Sequence, residues 1–150
     1  MSLQFLRAST ADAVSLMCIS KKAFGSDVEV GASSVGGPPG YNSLSFHTKM
    51  ARMKSLYKLI DNYKIIGGAL LFPKDDQLNV GRIFVAPEFF CKGFGIFMMQ
   101  QIEESFAEVK VFTLDTPIWN IRTNAFYQKL GYEEVNRDGN FVYYEKRRVA

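Results

Sequence analysis

The sequence has little of what disulfide and metal sites are built from. Among 150 residues there are two cysteines, Cys18 and Cys91, and one histidine, His47. Two cysteines do not make a disulfide framework in a chain of this length. With one histidine they fall short of the three or four N, S or O ligands of a usual metal site, so no metal is expected. Long apolar runs are missing as well. The longest, Ile65 to Phe72, has eight residues, two of them glycine, whereas a membrane helix needs about 20. Met1-Ser2-Leu3 runs straight into Gln4 and Arg7 without the apolar core of a signal peptide. These absences predict a cytoplasmic protein with no membrane partner. Charge of one sign is also scarce. Eighteen Lys and Arg against 15 Asp and Glu leave a net charge of +3. That excludes an acidic disordered tail and gives no support to a strong nucleic-acid binder. The basic clusters Lys21-Lys22, Arg52 to Lys54 and Lys146-Arg147-Arg148 are short and need not share a face, so no nucleic-acid partner is expected.

What the chain does have is one domain's length and much phenylalanine. Residues 1–150 suit a single domain. Thirteen Phe residues predict a core or a pocket rich in aromatic surface.

The order of elements reads as α/β. Gln4 to Ala8 is a short strand, Thr10 caps a helix with Asp12 near its positive end, and that helix runs to about Phe24. Gly25 to Ser45 is a long connection rich in Gly, Ser and Pro; its Gly36-Gly37-Pro38-Pro39-Gly40 can continue neither helix nor central strand. Connections of this length are functional or disordered. Met50, Met53 and Tyr57 have helical spacing. A hairpin follows, Tyr57 to Ile60 and Tyr63 to Phe72, then a strand from Leu78 to Val85. Gly93 to about Ala107 is helical, Val109 to Leu114 is a strand, and Asn120 opens a helix that ends at Gly131. Tyr132 to Val135 and Phe141 to Glu145 form a last hairpin. Strand, helix, strand, helix in the middle implies a parallel pair, and the hairpins imply antiparallel neighbours.

One strand is irregular. Leu78 and Val80 share one parity, Ile83 and Val85 the other, and the switch falls at Gly81-Arg82. A parity switch at a glycine predicts a β-bulge; a strand buried on both faces is the alternative. A bulge spreads a strand from its neighbour and leaves backbone N–H groups free for a ligand.

Two segments carry chemistry. After the strand, Lys92-Gly93-Phe94-Gly95 leads into a helix. A helix start has free N–H groups and partial positive charge, and glycines let a phosphate approach the backbone. No third glycine makes this a dinucleotide fingerprint, and no Gly-Lys-Ser/Thr makes it a nucleotide P-loop. In the second segment, Asn120 is an N-cap, and seven residues on, nearly two turns, Tyr127 shares its face. A tyrosine facing a cleft can donate a proton; more often a helical tyrosine is simply core.

Together these segments resemble the GNAT N-acetyltransferase superfamily. Strand, Val85-Ala86-Pro87, turn and Lys92-Gly93-Phe94-Gly95 are similar to its acetyl-coenzyme A (acetyl-CoA) pyrophosphate motif. Asn120 to Tyr132 is similar to its second motif, Asn-x-x-(Ala/Ser/Thr)-x-x-(Phe/Leu)-Tyr-x-Lys-x-Gly-(Phe/Tyr), and Leu6 to Ala13 resembles its first strand and helix start. The resemblance implies a GNAT fold: a mixed, mostly antiparallel sheet with a splayed central strand pair and helices on both faces. The splayed strands would be the one ending at Val85 and Val111 to Asp115. It implies acetyl-CoA as co-substrate. Amides from Lys92 through Gly93, Phe94 and Gly95 to Ile96 would hold the pyrophosphate. Ile83, Phe84 and Val85 would pair with the pantetheine arm, one N–H polarising the thioester carbonyl. Asn120 would bond the pantetheine region, and Tyr127 would protonate the departing thiolate. A homodimer is a further expectation from the family.

The sequence departs from the pattern once. Three residues before the first glycine the family usually has Arg or Gln, often followed by Gly; here stand Phe90 and Cys91. That removes a polar side chain from the pyrophosphate site, for which Lys92 could compensate. No single general base stands out among Asp27, Glu29, His47, Glu88 and Asp115. The implied function is transfer of acetyl from acetyl-CoA directly to a primary amine of a small molecule, through a ternary complex. The loop Asp27 to Tyr41, with Tyr41 and Trp119, would shape the acceptor site. The alternative is a non-catalytic acyl-CoA binding or sensing domain on the same fold.

Overall fold

The computed structural model describes residues 2–33 and 36–148. Ser34 and Val35, within the long Gly/Pro connection, and Met1 lie outside the described residues. Strand β1 (Leu3–Arg7) leads into a short 3-10 turn, Thr10–Asp12, and helix α1 (Ala13–Gly25). Ser9, rather than Thr10, holds the cap position. Its N–H donates to the Asp12 carboxylate at 2.8 Å, and Lys58 on the neighbouring strand closes on the same carboxylate at 2.9 Å.

The expected loop after α1 is partly ordered as a 3-10 turn, Ser26–Val30, before α2 (Leu44–Arg52). Helix α2 is shorter than its spacing predicts. Lys54 turns into the left-handed region at φ 63°, and Tyr57 falls on strand β2 (Leu56–Asp61) instead. Strands β3 (Lys64–Lys74) and β4 (Gln77–Val85) follow, then α3 (Phe94–Ser105), β5 (Val111–Pro117), α4 (Ile121–Lys129), β6 (Glu133–Arg137) and β7 (Phe141–Arg147).

The seven strands form one sheet in the order β1-β2-β3-β4-β5-β7-β6. Among the described residues, only β4 and β5 run parallel. Alternation along β3 assigns the two faces. Leu70 points to the α1 and α2 side with Leu16, Ala23 and Met50. Ala69 and Leu71 point to the α3 and α4 side with Met99, Ile102 and Tyr127. Leu16 and Ile102 are fully buried, each worth about 1.5–3 kcal/mol in apolar burial. Helices therefore cover both faces of the mixed sheet. Among the described residues, no helix is long and apolar enough to cross a membrane.

The predicted bulge is present. Leu70 pairs with Arg82 and Leu71 with Val80, so Gly81 is the extra residue on β4. Beyond it the sheet opens. β4 pairs with β5 only through Gln77, Leu78 and Asn79. From Val80 onward β4 keeps β3 on one side and faces a gap on the other.

Candidate functional site

Backbone alternation decides which amides face that gap. Ala86 donates its N–H to Ile66 O of β3 at 2.8 Å. Two residues earlier, Phe84 turns the same way, so its amide is committed to β3. Ile83 and Val85, of opposite parity, direct their N–H groups into the gap. The Phe84 ring is buried on the α1 side, against Phe24 and the His47 imidazole.

The loop after β4 rises into the start of α3 through two left-handed residues, Cys91 at φ 62° and Gly93 at φ 83°. Gly93 is the N-cap of α3 and has open space where a Cβ would stand. Its free amides and helix dipole form a concave positive site. Two residues on, a Cβ on Gly95 would come within 3.2 Å of the Phe126 ring. Glycine there lets α3 and α4 approach closely.

Helix α4 starts at Asn120, which is buried and accepts the Thr123 N–H at 3.0 Å through Oδ1. Its Nδ2 makes no hydrogen bond among the described residues. Asn124 ties the helix to β5 through Pro117 O at 3.0 Å and to β7 through the Tyr144 hydroxyl at 2.7 Å. Tyr127 is 7% exposed, its ring 5.2 Å from Phe126 and 5.9 Å from Tyr132. Its hydroxyl has no hydrogen-bond partner among the described residues. Burial, and then the Asp115 charge, push its phenol well above the usual tyrosine value.

Nine of the ten residues singled out in the sequence line one cavity of about 310 Å³. Ile83, Phe84 and Val85 come from β4, Gly93 to Ile96 from the start of α3, and Asn120 and Tyr127 from α4. Lys92 is the exception. It is exposed, with its ammonium 6.0 Å over the Phe89 ring. A second cavity of about 910 Å³ opens on the other side of the gap. The two share Phe24, Asp27, Ile83, Asn120, Thr123 and Tyr127. They meet at the splay between β4 and β5.

The candidate bases separate here. Asp27 lines both cavities and Asp115 lines the larger one. Desolvation raises both carboxyls; the Arg122 charge partly opposes this at Asp27, and the Asp138 charge adds to it at Asp115. His47 is 1% exposed, its Nδ1 is 2.7 Å from Ser43 O, and it lines neither cavity. Glu29 and Glu88 are exposed and line neither. Trp119 and the Gly/Pro segment line the larger cavity. Tyr41 does not; it lies edge-on to Phe24, 6.4 Å away.

One lining residue was missed. Arg122, in the first turn of α4, is the only cationic side chain among the described residues that lines the smaller cavity. Its guanidinium carbon sits 4.7 Å from the Phe90 ring centroid. The sequence signal was a cation two residues after the cap Asn120, but the partner ring is 32 residues away. No group of three or more His, Cys, Asp or Glu among the described residues could hold a metal ion.

Comparison with known proteins places this arrangement. No curated protein matches the sequence. Among solved structures, PaiA N-acetyltransferase from Thermoplasma acidophilum, in complex with coenzyme A, superposes with a TM-score of 0.86 at 15% identity, covering 99% of this chain and 100% of that one. Ribosomal-protein-S18-alanine N-acetyltransferase from Escherichia coli does so with 0.70 at 14% identity, covering 97% and 94%. The polyamine N-acetyltransferase of Drosophila melanogaster gives 0.71 at 10% identity, covering 98% and 100%. At such identities these matches speak to the fold. A family model described as an acetyltransferase (GNAT) domain matches residues 54–134, more than half of the chain. The splayed β4 and β5, the amide cradle of α3 and the matched segment agree: the chain belongs to the GNAT acetyltransferase family.

Proposed function

We propose that this chain, as one domain over residues 1–150, transfers acetyl from acetyl-CoA directly to a primary amine of a small molecule while both are bound. The observation that carries the reading is the meeting of two cavities at one wall, made by Ile83, Asn120, Thr123 and Tyr127. Donor and acceptor can then approach the same atoms from opposite sides.

The co-substrate supplies a thioester, whose carbonyl carbon is the electrophile. Amides from Lys92 to Ile96 hold the pyrophosphate at the positive end of α3. The gap-facing amides of Ile83 and Val85 pair with the pantetheine arm, and one donates to the carbonyl oxygen as charge develops there. Phe84 contributes surface only, since its N–H is committed to β3. Asn120 offers its Nδ2 to the pantetheine while its Oδ1 caps α4.

The larger cavity receives the amine. Residues 31–33 and 36–39 and the turn at Gly139–Phe141 bound it, which suits a compact molecule better than an extended peptide. Asp27 and Asp115 face the amine there. Their raised carboxyls accept the proton an ammonium must lose before attack. The nitrogen lone pair forms the C–N bond and the C–S bond breaks. Tyr127, protonated at neutral pH as a phenol ordinarily is and held so more firmly by burial, gives its proton to the departing thiolate. The phenolate regains a proton from the nitrogen as the amide forms. One proton passes from nitrogen to sulfur overall.

The test is a coenzyme A release assay across amines, polyamines, amino acids, aminoglycosides and peptides, with mass spectrometry of the products. Amine-dependent release with an acetylated small molecule is the expected result. Tight acetyl-CoA binding with no turnover on any amine would favour a sensing domain instead.

A further inference from the structure

The family's polar residue before the glycines is absent from the loop, where Phe90 stands. The structure puts a cation at that ring from α4. We propose that Arg122, placed over Phe90, supplies the side-chain contact to a coenzyme phosphate that the loop itself lacks; this rests on the reading of the smaller cavity as the coenzyme site.

Four observations converge. Among the described residues, Arg122 is the only cationic side chain lining that cavity, and the amide cradle Gly93 to Ile96 lines it too. Its guanidinium lies 4.7 Å from the half-buried Phe90 ring, at cation–π distance. It makes no ion pair or hydrogen bond among the described residues, so its donors are uncommitted. Lys92, the loop's own cation, is turned out over Phe89 instead. A guanidinium whose carbon sits over a ring and whose N–H groups are otherwise unbonded keeps those groups for an anion, and they match the geometry of phosphate oxygens. The ring thus does in packing what a polar side chain would do in bonding. It positions the cation and takes no part in contact with the anion. Asp27 is close enough for its carboxyl to feel the Arg122 charge.

The test compares the purified wild-type chain with Arg122→Gln and Phe90→Leu by calorimetric titration. The probes are coenzyme A, 3′-dephospho-coenzyme A and S-acetylpantetheine, which has no phosphate. Arg122 is exposed, so folding is checked simply by matched melting curves. Arg122→Gln should weaken coenzyme A by roughly tenfold or more, the range for a lost charge-assisted bond, and leave S-acetylpantetheine unchanged. If the loss persists with 3′-dephospho-coenzyme A, the contact is to the pyrophosphate; if it vanishes, it is to the 3′-phosphate. Either result supports the contact. Phe90→Leu, which keeps apolar volume without a π face, should weaken coenzyme A by a few-fold, and that loss should vanish in the Arg122→Gln background. Coenzyme A affinity unchanged in Arg122→Gln, or equal losses for coenzyme A and S-acetylpantetheine, would overturn the proposal. A wild type that binds none of the probes would instead overturn the coenzyme site itself.

Discussion

Tyr127→Phe separates chemistry from packing more cleanly than any other change in the molecule. The substitution removes one oxygen from a side chain that is 7% exposed. Its ring contacts, 5.2 Å to Phe126, 5.9 Å to Tyr132 and 6.4 Å to Tyr144, are all made by carbon atoms that phenylalanine keeps. The hydroxyl has no partner among the described residues, so no internal hydrogen bond is lost and stability should change by less than about 1 kcal/mol. Binding of coenzyme A should also persist, since the cradle and β4 are untouched. The rate should not. Loss of a positioned proton donor costs about 10²–10⁴ in kcat, or roughly 3–5 kcal/mol of barrier. The measurement is thiol release at saturating acetyl-CoA and amine, with coenzyme A titration and melting as controls. A kcat within about threefold of wild type, with matched melting, would refute the proton-donor role.

Two other perturbations test the scaffold around the site. Gly93→Ala places a Cβ on a residue at φ 83°; the strain of about 1–2 kcal/mol should lower the melting temperature by roughly 2–8 °C and weaken coenzyme A. An unchanged melt and affinity would contradict the cradle geometry. His47 is held neutral chiefly by burial, which with the Arg82 charge outweighs its bond to Ser43 O and leaves its pKa below 6.5. The unfolded chain then takes up the proton first, so this contribution is present above pH 6.5 and is lost as pH falls toward the lowered value. Melting between about pH 7.5 and pH 5 should fall less steeply in His47→Phe than in wild type; parallel curves would contradict the assignment.

What the sequence made legible was mostly local. The bulge followed from the parity of Leu78, Val80, Ile83 and Val85, because alternation records which side is buried. The parallel β4–β5 pair followed from strand, helix, strand order. The insertion of β7 between β5 and β6 did not, since a hairpin can join a sheet by either strand. His47 looked like a candidate base because residue type and a loop neighbour say nothing about enclosure; only the packing of Phe46 and Phe84 around it does so. Arg122 is illegible in the sequence for the same reason. Its meaning depends on a ring in another loop, and Phe90 on its own read as a loss.

The central claim is that donor and acceptor occupy adjoining cavities at the same time. Initial rates of acetyl transfer, with acetyl-CoA varied at several fixed concentrations of an amine accepted in the release assay, test it most directly. Double-reciprocal lines that intersect are predicted, with no acetylated protein detectable by mass in the absence of amine. Parallel lines, together with a stable acetyl group on the chain, would contradict it.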